Sequence, residues 1–150
     1  MSHIRAKDTK PELLVRQRLW ADGYRYRLCV KTLPGKPDIV LRKYKIAIFV
    51  NGCFWHGHHS AYTFGHPESL ESSACCKIPK TRTEFWTQKI SRNIERDIMN
   101  YRCLQDAGWK VLVVWECQLK GKERQKQTLQ ALSCKMASLV LETYKSVSKP

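Results

Sequence analysis

The chain has 150 residues, 43% hydrophobic and 27% charged, the size and balance of one globular domain, which excludes a fibrous or disordered chain. Lys and Arg number 27 against 13 Asp and Glu, a formal charge of +14, and a polyanionic partner is the natural reason for such an excess, nucleic acid first and an acidic membrane second. No run reaches the roughly 18 apolar residues of a membrane span, Met1–Asp8 lacks the apolar stretch of a secretory signal, and seven cysteines without an export signal point to a reducing cytoplasm and metal binding.

In chain order, Thr9-Lys10-Pro11-Glu12 opens a helix, with Pro in the first turn and a carboxylate at the positive end of the dipole. Leu13, Leu14, Val15, Leu19 and Trp20 supply its apolar face and Gly23 ends it. Tyr24–Val30 alternates apolar and basic residues as a strand does, and Leu33-Pro34-Gly35-Lys36-Pro37 is a turn. Asp38–Leu41 is a short strand that begins on an acid, and Lys45–Val50 is a strand apolar on both faces. Asn51–Thr81 is irregular and rich in His, Gly, Ser and Cys, with Pro67–Ala74 as an exposed insertion. Thr83–Ala107 is the longest helix, with Phe85, Trp86, Ile90, Ile94, Ile98 and Leu104 at helical spacing and Gly108 as its stop. Lys110–Trp115 is a second buried strand, and Lys122–Tyr144 a basic amphipathic helix with Leu129, Leu132, Met136, Leu139 and Val140 inward. This order implies a mixed sheet flanked by helices, an α/β fold. The charges of Lys122, Arg124, Lys126 and Lys135 read as a solvated face rather than a membrane-binding one.

Two constellations carry chemistry. Asp38 enters a buried strand, where a carboxylate is costly unless it binds a cation or accepts hydrogen bonds; as a plain turn cap it would need neither. The next strand ends at Val50-Asn51, and adjacent strands joined by a short turn put their ends side by side. A carboxylate, a backbone carbonyl and an amide so gathered are hard ligands suited to Mg²⁺, and Mg²⁺ beside a basic surface suits phosphodiester hydrolysis. The second constellation is Gly52-Cys53-Phe54-Trp55-His56-Gly57-His58-His59. Cys53 and His58 are close enough to share one tetrahedral ion, which Cys75, Cys76 and Cys117 could complete; the alternative is a set of buried thiols. Phe54 and Trp55 are either loop anchors or wedges of the kind that part base pairs, and His56 has the side chain for general acid or base work near neutral pH.

The runs Leu33–Val40, Phe49–His58, Pro79–Trp86 and Gly108–Cys117, in this order, resemble the very-short-patch mismatch repair endonucleases of bacteria, from about Lys7 to about Lys120. The resemblance implies a restriction-endonuclease-like fold with a structural zinc, and Mg²⁺-dependent nicking of one strand of duplex DNA 5′ to the thymine of a T·G mismatch left by deaminated 5-methylcytosine. It implies roles for Asp38 and the Val50 carbonyl at the metal, His56 as the catalytic histidine, and Glu12 reaching from its helix to the active site. Phe54 and Trp55 correspond to the intercalating aromatics, and Cys53, His58 and Cys117 to zinc ligands. Asn51 stands where the best-known member has a second active-site histidine, and Ser60 stands where a cysteine ligand is expected. One of Cys75 or Cys76 is then the expected fourth thiolate.

The expectation is a single endonuclease domain over residues 1–150, with an N-terminal arm over 1–8 and a C-terminal helix within 121–150. It acts as a cytoplasmic, nucleoid-associated monomer on mismatched double-stranded DNA, ahead of downstream repair proteins and away from membranes. A restriction-type or other repair nuclease and a zinc-stabilised DNA-binding module are the alternatives, and Asp38 separates the last from the others. A pure binder gains nothing from a buried acid that repels phosphate.

Overall fold

The computed structural model describes residues 9–58 and 77–147. The arm over 1–8 and the insertion Pro67–Ala74 lie outside these residues. The elements are α1 (Lys10–Ala21), β1 (Arg27–Leu28), β2 (Ile39–Leu41), β3 (Ile46–Asn51), α2 (Thr83–Asp106), β4 (Lys110–Trp115), a 3-10 turn (Glu116–Leu119) and α3 (Lys122–Val147).

The four strands form one mixed sheet in the order β1-β2-β3-β4. β2 and β3 pair antiparallel, Ile39 opposite Ile48 and Leu41 opposite Ile46. β3 and β4 run parallel, in register from Ile46↔Lys110 to Asn51↔Trp115. Strand side chains alternate between faces, and the two cores divide accordingly. Ile46, Ile48, Leu112 and Val114 pack with Val15, Leu19, Leu132, Met136 and Leu139, so α1 and α3 cover one face. Ala47, Phe49, Val113 and Trp115 pack with Tyr101 and Leu104 of α2 on the other. The result is a helix–sheet–helix sandwich, the arrangement expected of strands apolar on both sides.

Three sequence expectations are corrected. The strand expected over Tyr24–Val30 shrinks to Arg27–Leu28, because β2 is three residues long and Cys29 turns the chain with φ +49°. Tyr24 and Tyr26 lean on the α1/α3 core instead, and the Tyr26 hydroxyl donates to the Arg16 carbonyl at 3.2 Å. In α1 the inward positions are Glu12, Val15 and Leu19, while Leu13 and Trp20 are exposed. In α2 Phe85 is exposed and the buried residues are Ile90, Tyr101 and Leu104. The 3-10 turn is additional. It is closed by the Gln118 side chain, which accepts from the Trp115 N–H at 2.9 Å, and by Thr128 of α3, which donates to the Gln118 carbonyl at 2.7 Å.

Met136 lies at the centre of the α3 contact and is fully buried. Met136→Ala should cost about 2–5 kcal/mol of stability, read as a lower urea midpoint at unchanged slope.

Candidate active site and metal cluster

At one end of the sheet a cleft of about 440 Å³ opens between α1, the β2–β3 ends and α2; Glu12, Asp38, Val50, Asn51, His56 and Asp97 line it. The strand register explains the gathering. Asp38 directly precedes β2, one step beyond the Ile39↔Ile48 pair, so its side chain meets the far end of β3. Its Oδ2 accepts the Val50 N–H at 2.7 Å. Glu12 arrives from the first turn of α1, whose Thr9 hydroxyl accepts the Glu12 N–H at 3.4 Å. It is 2% exposed, with the Arg16 guanidinium 3.6 Å from Oε1.

Burial raises the Asp38 carboxyl from 3.8 to about 6, and the Glu12 charge adds to that, while the Val50 N–H and His56 pull the other way. The buried Glu12 carboxylate, the partly buried Asp38 carboxylate and a strand-end carbonyl form an all-oxygen donor set with an unfavourable negative charge. A hard dication neutralises such a set, so these residues fit Mg²⁺.

The loop after β3 coils back on itself: the His56 N–H donates to Gly52 O at 3.2 Å, and the His58 N–H to Cys53 O at 3.1 Å. Helix α2 holds this loop and the end of β3 through three polar side chains spaced four residues apart, hence on one face. Asn93 donates to the Trp55 carbonyl at 2.8 Å, Asp97 Oδ2 lies 2.7 Å from His56 Nδ1, and Tyr101 Oη accepts from Asn51 Nδ2 at 2.8 Å. Facing the Asp97 carboxylate, Nδ1 is the nitrogen that donates, and Nε2 is the one left for other contacts. Gly57, between His56 and His58, has φ +50°, and a Cβ there would meet Ile90 at 2.5 Å and Ile94 at 2.6 Å.

Phe54 and Trp55 stand edge to face at 5.1 Å, and Trp86 of α2 packs on both at 5.5 and 6.0 Å. The Lys89 ammonium lies 5.5 Å from the Trp55 ring and 5.6 Å from the Trp86 ring. The pair read from sequence is therefore a cluster of three aromatics capped by a cation at the mouth of the loop.

Cys53, His58 and Cys117 form a second centre, their ligand atoms all within 4.8 Å of one another. His58 Nδ1 is 3.7 Å from Cys53 Sγ and 3.4 Å from Cys117 Sγ, bracketing the ~3.6 Å between N and S ligands on a tetrahedral zinc. The parallel ladder brings Cys117, two residues past β4, beside the loop past β3. The His58 ring stacks on buried Trp115 at 4.1 Å and 15°. The Cys117 thiol, and then His58, pull the Cys53 thiol down against the opposing effect of burial, so the Cys53–Cys117 pair favours the thiolate form that a soft cation binds. Two thiols and an imidazole at this spacing fit zinc. Ser60, Cys75 and Cys76 lie outside the described residues.

Asp97, Asn93, Tyr101 and Trp86 were not singled out as site residues from sequence. Asn93 and Asp97 carried a usable signal: two polar residues four apart beside the apolar stripe Ile90, Ile94, Ile98.

With the geometry in place, comparison with known proteins is informative. The family model for the DNA mismatch endonuclease Vsr matches residues 1–62. The DNA mismatch endonuclease Vsr of Escherichia coli is 43% identical over 124 residues, 83% of this chain and 71% of that protein. The chain belongs to the Vsr DNA mismatch endonuclease family. The type II nicking enzyme V.NmeAIP of Neisseria meningitidis serogroup A is 50% identical over 122 residues, 81% of this chain and 78% of that protein. The type II nicking enzyme V.XorIIP of Xanthomonas oryzae is 41% identical over 119 residues, 79% of this chain and 78% of that protein. Relatives in the Vsr family thus carry names for mismatch cleavage and for nicking, and no helix among the described residues is long and apolar enough to cross a membrane.

The raised Asp38 carboxyl has a measurable sign. Between 3.8 and about 6 the folded state binds more protons than the unfolded one, so this group's contribution to stability is lost as pH rises through that window. In metal-free protein Asp38→Asn should melt above wild type at pH 7.5, and the gap should close on acidification to pH 4. A gap independent of pH would refute the buried-charge account.

Proposed function

We propose that this protein is a Mg²⁺-dependent DNA mismatch repair endonuclease that nicks one strand 5′ to the thymine of a T·G mismatch. The observation that carries this reading is the meeting of Asp38, Glu12 and the His56–Asp97 pair in one cleft, beside an aromatic cluster. Asp38 and the Val50 carbonyl would hold the ion, with Glu12 adding negative charge beside them. Bound there, Mg²⁺ supplies electrostatic stabilisation of the charge that builds on the phosphate in the transition state.

The chain's own groups do the rest. His56, fixed by Asp97, offers Nε2 as the base that takes a proton from the attacking water. The water oxygen bonds to phosphorus as the phosphorus–oxygen bond to the leaving nucleoside breaks, and the leaving oxygen takes a proton from a neighbouring water. Asn51, the amide at the tip of β3, accepts a hydrogen bond but takes no proton, so base work falls to His56. Phe54, Trp55 and Trp86 act as the wedge: a mismatch stacks less well than a pair, so parting the helix there costs less. The +14 charge draws the duplex in through phosphate contacts.

In this reading the sheet is a restriction-endonuclease-like core and residues 1–150 form a single monomeric, cytoplasmic domain. Cys53, His58 and Cys117 hold a structural zinc with one of Cys75 or Cys76 as fourth ligand. A closed four-ligand site is what a structural zinc requires.

The deciding experiment is cleavage of a panel of mismatched and paired duplexes with and without Mg²⁺. The expected result is a single-strand nick at T·G that needs Mg²⁺, and loss of nicking by orders of magnitude in Asp38→Ala with duplex binding retained. Wild-type nicking by Asp38→Ala would overturn the site assignment. For the second centre, metal analysis should find about one zinc per chain, and Cys53→Ser should lose it together with thermal stability. Full zinc occupancy in Cys53→Ser would place the metal elsewhere.

A further inference from the structure

Asn51 is 3% exposed, yet it lines the cleft. Its Nδ2 points away from the cleft and donates to the hydroxyl of Tyr101 at 2.8 Å. Tyr101 is 1% exposed, and its ring packs at 4.9 Å on Phe49, two residues before Asn51 on β3. A primary amide has a donating end and an accepting end. Once Nδ2 is committed to the helix, the amide plane is set and Oδ1 is the end turned to the cleft. The flipped amide would put two N–H donors toward the substrate, where the phosphate chemistry needs an acceptor for the water.

Tyr101 is also the third member of the α2 stripe. Asn93 fixes the Trp55 backbone and Asp97 fixes the His56 ring. Tyr101 fixes the remaining cleft residue of the same segment, at the same four-residue spacing.

We propose that Tyr101 is a positioning residue for the nicking reaction: its hydroxyl holds Asn51 with Oδ1 outward, where it accepts a hydrogen bond from one O–H of the attacking water. The proposal rests on the endonuclease reading above. In the step, the water oxygen forms its bond to phosphorus and the bond to the leaving nucleoside oxygen breaks. The O–H aimed at His56 gives its proton to Nε2. The O–H held by Asn51 keeps its proton, which stays on the new phosphate monoester. The leaving oxygen takes a proton from a cleft water, and His56 returns its own to solvent. Asn51 thus orients the nucleophile without changing charge, and the Tyr101 hydroxyl anchors the amide in the orientation the structure shows.

The test is single-turnover nicking of a T·G duplex at saturating enzyme and Mg²⁺, with duplex affinity and melting temperature measured beside it. Tyr101→Phe should lower the rate about tenfold to a hundredfold, the scale of a misoriented reacting group, and leave affinity unchanged. Asn51→Ala should lower it comparably, and Asn51→Ala/Tyr101→Phe should fall no further than Asn51→Ala, since the two act as one unit. A wild-type rate in Tyr101→Phe, or the same further loss in the Asn51→Ala background, overturns the assignment. Should Tyr101→Phe unfold, the side-chain amide of Asn51 in the wild-type protein decides by NMR. One Nδ2 proton exchanging slowly with solvent is the expected result, and fast exchange of both overturns the proposal. Failure of the wild type to nick any mismatched duplex overturns the endonuclease reading and this assignment with it. Nicking by the wild type with an unaffected Tyr101→Phe overturns this assignment alone.

Discussion

The parallel pairing of β3 with β4 is the constraint on which the rest of the molecule depends. Its six residue pairs end level, at Asn51 and Trp115, so the loops leaving the two strands start side by side. One loop carries Cys53, His56 and His58 and the other Cys117, and no long-range side-chain contact is needed to bring them together. The ladder is apolar on both faces, so helices must cover both. That requirement puts α2 against the loop on one side and the N-terminus of α1, with Glu12, near the cleft on the other. A one-residue slip of β4 would turn Trp115 to the opposite face and take Cys117 out of reach of His58.

Elements whose pattern reflects burial were legible in the sequence. Ile46–Phe49 and Val111–Trp115 are continuous apolar runs, and α2 and α3 are long enough for their period to show. Residues whose role comes from a neighbour were not. Tyr24–Val30 alternates like a strand, but its length is set by β2, which offers only two pairing positions. Leu13 and Trp20 are apolar yet outward, because the inward positions beside them on α1 are taken by Glu12 and Leu19. The gathering of Asp38 and Val50 followed from strand ends, a local argument. Asp97 and Tyr101 lie 41 and 50 residues from their partners, and no local pattern reports such a pairing.

The contrast between the two centres is one of donor chemistry. The cleft offers oxygen, with a carboxyl held well above its ordinary range by burial. The Cys53 cluster offers sulfur and nitrogen, with a thiol held well below its own. The two donor sets thus suit a hard and a soft cation respectively, a few residues apart in sequence. The loop that carries both sets is tied to α2 through Trp55 and His56, and the strand end that feeds it through Asn51.

The left-handed turn at Gly57 gives this arrangement its rigidity. Ile90 and Ile94 occupy the space where a side chain at residue 57 would go, so the link from His56 to His58 admits only glycine. A single glycine and its two peptide units join the two histidines. The cleft and the sulfur cluster therefore share one short stretch of backbone, and a change of conformation at residue 57 would reach both.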